Sequence, residues 1–165
     1  MTRRIDLRTY QGGVAEDLGA LGWYCTLGAA NETEAVLGYP TLSISDFFAL
    51  LRRLTLWYLA DDQGWWAVAW TTPLFCGGVY GLWIRGDHRQ SPSGLVFILR
   101  TLDLALTEYP VLVNTCRERQ VAYKTMELGY TYIGFVPALV DAGNLHLLHL
   151  TREAFDARWP RERYT

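Results

Sequence analysis

The stretch that decides the fold is GLWIRGDHRQSPSGLVFILR, residues 81–100. It begins by closing an apolar, strand-like run that starts at Cys76. It ends by opening a helix whose residues Leu95, Ile98, Leu99, Leu102 and Leu106 share one face. Arg89-Gln90-Ser91-Pro92-Ser93-Gly94 stands between the two. The first N–H groups of a helix lack internal partners and sit at the positive end of its dipole. A strand feeding a small-residue turn and then a helix is therefore a local architecture that binds anions. Arg89 adds a full charge, and Ser91 and Ser93 add hydroxyl donors. Residues 89–95 read either as a pyrophosphate cradle or as a plain capped helix after a loop.

Working outward, Leu56 to Ala60, the turn Asp61-Asp62-Gln63-Gly64 and Trp65 to Thr71 read as a hairpin closed by Pro73. Cys76 to Ile84 follows as a third strand, where Gly77, Gly78 and Gly81 predict a bulge or a close backbone approach. Downstream, the helix over Leu95 to Glu108 stops at Pro110. Val111 to Val113 is a short apolar strand, and a helix over Glu118 to Leu128 is capped by Gly129. Tyr130 to Val136 and Leu145 to Leu150 form two last strands joined by a turn around Asp141 to Asn144, and the polar tail from Arg152 is expected to fray. Upstream, Arg4 to Tyr10 is a short strand and Val14 to Leu21 a helix. The Gly/Ala-rich segment from Gly22 to Thr41 reads as loop with a short helix, and Ser45-Asp46 opens a helix carrying Phe47, Phe48, Leu50, Leu51 and Leu54. Short turns enforce antiparallel neighbours and helices bridge the remaining strands. The expected fold class is α/β (α+β): one domain over residues 1–165 with a mixed, mostly antiparallel sheet flanked by helices on both faces.

The chain has 165 residues, half of them apolar and 19% charged, which suits one folded domain with a real core. A net charge of −2 gives no electrostatic footprint for nucleic acid, and the local clusters Arg85, His88, Arg89 and Arg158, Arg161, Arg163 read first as solvated surface. Cys25, Cys76 and Cys116 are too few and too scattered for a disulfide framework or a zinc site, and suit a reducing compartment. His146 and His149 are three apart on a strand and face opposite sides, so no metal is expected. The apolar segment from Trp65 to Ile84 is broken by Pro73 and Gly77-Gly78, and the N-terminus lacks an apolar signal core. The expectation is a cytoplasmic protein without a membrane partner. Seven tryptophans and ten tyrosines could fill a core, line a pocket, or cover an interface with a second copy or another protein.

Over roughly residues 56–137 the sequence resembles the GNAT acetyltransferase superfamily, and its order of elements extends the likeness along most of the chain. The family's phosphate loop, Arg/Gln-x-x-Gly-x-Gly/Ala, is matched at Arg89 and Gly94, with the aliphatic Ile84 five positions before the arginine. Thr125-Met126-Glu127-Leu128-Gly129-Tyr130 follows the pattern Tyr-x-x-Leu-Gly-Phe, and Ile133-Gly134 follows it in turn. Two residues depart. Pro92 replaces the first glycine and brings no N–H. Thr125 stands where many members carry the tyrosine that protonates the leaving thiolate; Tyr123 is about 200° away around the helix and does not substitute for it.

The resemblance implies an N-acetyltransferase that moves an acetyl group from acetyl-CoA to an amine. Leu82 N–H would polarise the acetyl carbonyl and the Ile84 backbone would hold the pantetheine arm. Arg89, Gln90, Ser91, Ser93, Gly94 and Leu95 would hold the diphosphate, with Asn114 lining the cleft. Tyr80 would face the acceptor, and Thr125 occupies the acid's position. Asp87 and Glu108 read equally as solvated surface or as candidates for the base. The acceptor amine is open: peptide, aminoglycoside, polyamine or protein lysine. The alternative is a GNAT-fold chain that has lost catalysis and serves as a structural or partner-binding component, for example in a viral assembly. A binding module of unrelated α/β fold is the third reading.

Overall fold

The computed structural model describes residues 4–39, 42–137 and 145–165. Seven strands form one mixed sheet in the order β1-β2-β3-β4-β5-β7-β6. They are β1 (Arg8–Thr9), β2 (Thr55–Asp61), β3 (Gly64–Leu74), β4 (Gly77–Ile84), β5 (Val111–Cys116), β6 (Thr131–Val136) and β7 (Leu145–Thr151). The pairs β1–β2, β2–β3, β5–β7 and β6–β7 are antiparallel. β4 and β5 are parallel, registered at Gly78↔Leu112 and Val79↔Val113, and β4 then runs on to Ile84. A parallel neighbour demands a crossover. That crossover is helix α4 (Pro92–Glu108), which leaves the end of β4 and returns the chain to β5. The turn expected around residues 141–144 lies outside the described residues.

The chain forms two compact units. The first holds the residues up to Thr72 together with Gly81–Ile98. Its core is aromatic. Trp23 lies within about 6 Å, ring to ring, of Phe47, Trp65, Trp70 and Trp83. Leu27, Leu51, Leu56 and Val68 complete the cluster. Trp23 and Leu27 explain why helix α1 (Val14–Ala29) continues eight residues beyond the expected end at Leu21. Gly22 and Gly28 lower helix propensity, but a fully buried tryptophan one turn before a fully buried leucine outweighs it. The segment read as loop therefore holds the second half of α1 and helix α2 (Thr33–Leu37). Helix α3 (Ile44–Leu51) starts earlier than the sequence suggested. Ser43, not Ser45, accepts the Asp46 N–H and caps it.

The second unit holds Pro73–Tyr80 and Leu99–Thr165. Leu102, Leu112, Leu148 and Leu150 are fully buried there, and helix α5 (Arg119–Glu127) leads into β6 through Gly129, whose φ of 107° only glycine adopts easily. The tail does not fray. Thr151 caps helix α6 (Arg152–Arg158), which buries Phe155, and Tyr164 packs beside that ring. Arg152 anchors the helix on the Asp103 carboxylate and on the Asp103 carbonyl at 2.6 Å.

The strand glycines secure close approach. A Cβ on Gly77 would collide with the Val111 carbonyl oxygen, and one on Gly81 with the Trp70 ring. Gly77→Ala therefore meets backbone that cannot swing aside, and is expected to lower stability in urea titration by about 1–3 kcal/mol. Gly22→Ala, with open space at its Cβ in the middle of α1, is expected to raise it by up to about 1 kcal/mol.

Candidate functional site

The strand–turn–helix element lies within the first unit. β4 ends as Arg85 N–H bonds the Trp66 carbonyl at 2.8 Å, and a single 3-10 turn (Gly86–His88) follows. Arg85 then holds two carboxylates, Asp61 at 2.5 Å and Asp87 at 2.9 Å. The guanidinium's hydrogen bonds hold both carboxyls below their ordinary range. The His88 ring stacks on Trp66 with centroids 4.2 Å apart. This network fixes the turn from which α4 departs.

Ser91 sets the helix start. Its hydroxyl donates to the His88 carbonyl at 2.9 Å and accepts the Gly94 N–H at 3.0 Å, and its own carbonyl accepts the Leu95 N–H at 3.2 Å. Ser91 is thus the N-cap, Pro92 the first helical residue and Gly94 the third. Two sequence features are explained at once. Proline at the first helical position gives up an N–H that the helix never uses, and its fixed φ suits the helical start. Gly94 is buried, and a Cβ there would press on the His88 carbonyl oxygen at 2.8 Å, so the close approach calls for glycine. Of the amides at positions 92–95, that of Ser93 has no partner among the described residues.

Arg89 is held rather than free. Its Nε donates to the Ile84 carbonyl at 3.0 Å, and its terminal nitrogen bonds Glu32 at 2.9 Å. Glu32, just before α2, also accepts the Trp83 indole N–H at 2.7 Å. One carboxylate thus ties the end of α1, the last turn of β4 and the candidate phosphate-binding arginine together. Sequence reasoning missed Glu32, because its partners lie 51 and 57 residues away and no local pattern marks it.

The structure gathers Ile84, Arg89, Ser91, Ser93, Gly94 and Leu95 into one turn, with Gln90 exposed beside them and Leu82 half-buried on β4. Tyr80, Asn114 and Thr125 belong to the second unit. Tyr80, expected on strand parity to face an acceptor, is 2% exposed, and its hydroxyl is shared with Thr101 at 2.8 Å. Burial pushes its pKa well up. Thr125 is also buried. It donates to the Val121 carbonyl at 2.8 Å and lies 3.8 Å from the Cys116 thiol, which burial raises above its ordinary pKa. Tyr130, in the same unit, is buried with no hydroxyl partner among the described residues, and burial raises it strongly too. Asn114 is half-buried on β5, opposite Leu148 of β7. The described residues contain no group of three or more His, Cys, Asp or Glu placed to hold a metal ion, and no helix long and apolar enough to cross a membrane.

No family model and no curated protein matches the sequence. Solved structures do match. A variant of the spermidine N-acetyltransferase SpeG from Vibrio cholerae superposes with a TM-score of 0.69 at 11% identity, covering 96% of this chain and 99% of that one. A GNAT-family acetyltransferase from Streptococcus pneumoniae gives 0.62 at 10% identity over 88% and 99%. The protein yncA from Salmonella typhimurium, solved with acetyl-CoA as its cofactor, gives 0.63 at 14% identity over 90% and 94%. The fold is that of the GNAT N-acetyltransferases.

Ser91→Ala removes the cap and is expected to cost about 1 kcal/mol in denaturant unfolding. Glu32→Gln keeps the indole bond but removes the charge that holds Arg89. The expected outcome is little change in stability, because an ion pair at this exposure contributes roughly 0–1 kcal/mol, together with faster guanidinium motion in relaxation measurements on Arg89 Nε.

Proposed function

We propose that this protein is an acetyl-CoA-dependent N-acetyltransferase whose diphosphate site is the mouth of α4. The observation that carries the reading is the coincidence of a free Ser93 amide, a positive helix end and the Arg89 guanidinium on one short turn after β4. The Glu32 partner does not argue against it. That ion pair is solvent-accessible, with the Arg89 side chain 57% exposed, and a diphosphate offers a stronger charge-assisted partner in exchange.

In the reaction, the neutral amine nitrogen attacks the thioester carbonyl. Its negative charge develops on the oxygen, where the Leu82 N–H serves as donor. The C–S bond then breaks, the amine's proton leaves to a base or a water, and the CoA thiolate takes up a proton from solvent or from an unassigned acid. The Ile84 backbone holds the pantetheine arm, and Gln90 and Leu95 border the phosphates. Tyr80, spent on Thr101, and Thr125, spent on the Val121 carbonyl, are held by internal partners.

A second reading rests on a specific observation. The Ser91 hydroxyl already satisfies the Gly94 amide, Pro92 offers none, and Thr125 is too weak an acid. Those features suit a GNAT-fold chain kept for binding or assembly after catalysis was lost.

Calorimetry with acetyl-CoA and CoA separates the two. Free ligand at a hundredfold over its dissociation constant is expected to stabilise the native state by about 2.7 kcal/mol. Arg89→Glu is expected to abolish that gain, and thiol release with an amine panel to be detectable only in the wild type. No stabilisation by either ligand would favour the non-catalytic reading. Undiminished binding by Arg89→Glu would remove the diphosphate site from this turn.

A further inference from the structure

Glu32 belongs to two structures at once. Its backbone joins α1 to α2: the N–H donates to the Leu27 carbonyl at 2.8 Å, and the carbonyl accepts the Val36 N–H at 2.9 Å. Its side chain crosses to the end of β4. Oε2 accepts the Trp83 indole N–H at 2.7 Å, and Oε1 accepts from Arg89 Nη2 at 2.9 Å. Trp83 is buried, so the indole bond anchors the carboxylate. The Arg89 side chain is the open partner, 57% exposed against 28% for Glu32.

The two bonds made by Arg89 differ in kind. Nε donates to the neutral Ile84 carbonyl at 3.0 Å, and that bond sets the direction of the side chain. Nη2 donates to a charged carboxylate. A guanidinium grips a phosphate with its terminal nitrogens, and Glu32 takes one of those two. A diphosphate arriving at the mouth of α4 therefore meets an arginine that is already neutralised, beside a carboxylate of the ligand's own sign. The arginine does not need Glu32 for its aim, because the Ile84 carbonyl supplies it.

We propose that Glu32 is an internal competitor for the diphosphate: it holds Arg89 in the free protein and yields it when the ligand binds. The inference rests on the reading of this turn as an acyl-CoA diphosphate site. The exchange leaves the carboxylate in place on Trp83 and the guanidinium in place on Ile84, so only one bond changes hands. Affinity for any ligand that uses Arg89 is set below what the turn alone would give. Occupancy is also reported to the α1–α2 junction, 57 residues away in sequence. A carboxylate relieved of its cation is the stronger acceptor, so the Trp83 N–H bond tightens on exchange.

The test is calorimetric titration of the full chain and of Glu32→Gln with CoA, adenosine 5′-diphosphate and pantetheine. Glutamine keeps an oxygen for the Trp83 indole and removes the charge. The variant is expected to bind CoA and the nucleoside diphosphate about two- to fivefold more tightly, the worth of a solvent-accessible ion pair. Pantetheine, which has no diphosphate, is expected to gain nothing. The gain is expected to shrink at about 0.5 M salt, where exposed charges are screened. A second readout needs no variant: in ¹⁵N-labelled wild type, the Trp83 indole N–H resonance is expected to move downfield as either diphosphate ligand saturates, and to move far less in Glu32→Gln. The proposal is overturned if Glu32→Gln binds both diphosphate ligands no more tightly than wild type, if pantetheine gains as much, or if the Trp83 indole resonance stays put at saturation. Failure of the underlying site reading has its own signature: neither CoA nor the nucleoside diphosphate then binds wild type or variant, and the proposal falls with it.

Discussion

Everything at the candidate acyl-CoA site depends on one hydroxyl. Ser91 Oγ bonds a carbonyl behind it and an amide ahead of it, and so fixes both the last turn after β4 and the first turn of α4. Because the hydroxyl can do both, the helix begins three residues before its apolar stripe, with proline where a proline fits. The helix that starts there, α4, is the crossover between the parallel strands β4 and β5. The same bond limits the site, since an amide spent on a cap is one fewer for a ligand.

Glu32 gives the turn its second constraint. It does so through charge and through an indole N–H, from the junction of α1 and α2. Below it, four aromatic rings surround Trp23, so the turn stands on a rigid platform. In the second unit the polar hydroxyls of Tyr80 and Thr125 are consumed internally, while the Tyr123 and Phe135 rings, on α5 and β6, stay exposed. Of the side chains to which the family likeness gives a catalytic part, Tyr80 and Thr125 are both buried.

What the sequence made legible was periodic or local. The stripe Leu95, Ile98, Leu99, Leu102, Leu106 predicted α4, the Asp61–Gly64 turn predicted the β2–β3 hairpin, and Gly129 predicted the end of α5. What it hid depended on distant partners. Gly22 and Gly28 argued for loop until Trp23 and Leu27 were seen to be fully buried. Phe155 and Tyr164 stood isolated among charges, and their mutual packing needs three dimensions to be seen. In the candidate site, the motif residues Arg89 and Gly94 were readable in place. A capped helix was one of two open readings of the turn, with no residue marked as its cap, and Glu32 was invisible. The aromatic surplus had no location in the sequence, because strand parity places Tyr132 and His146 on a face but cannot bring α5 over it.

The most direct test of the account is the response of individual amides to CoA. In an ¹⁵N-labelled sample titrated to saturation, the account predicts that the Ser93 amide moves furthest, with Gly94, Leu95 and the Arg89 side chain following. Saturable CoA binding that leaves Ser93 and Gly94 unmoved would contradict it, as would the absence of any binding.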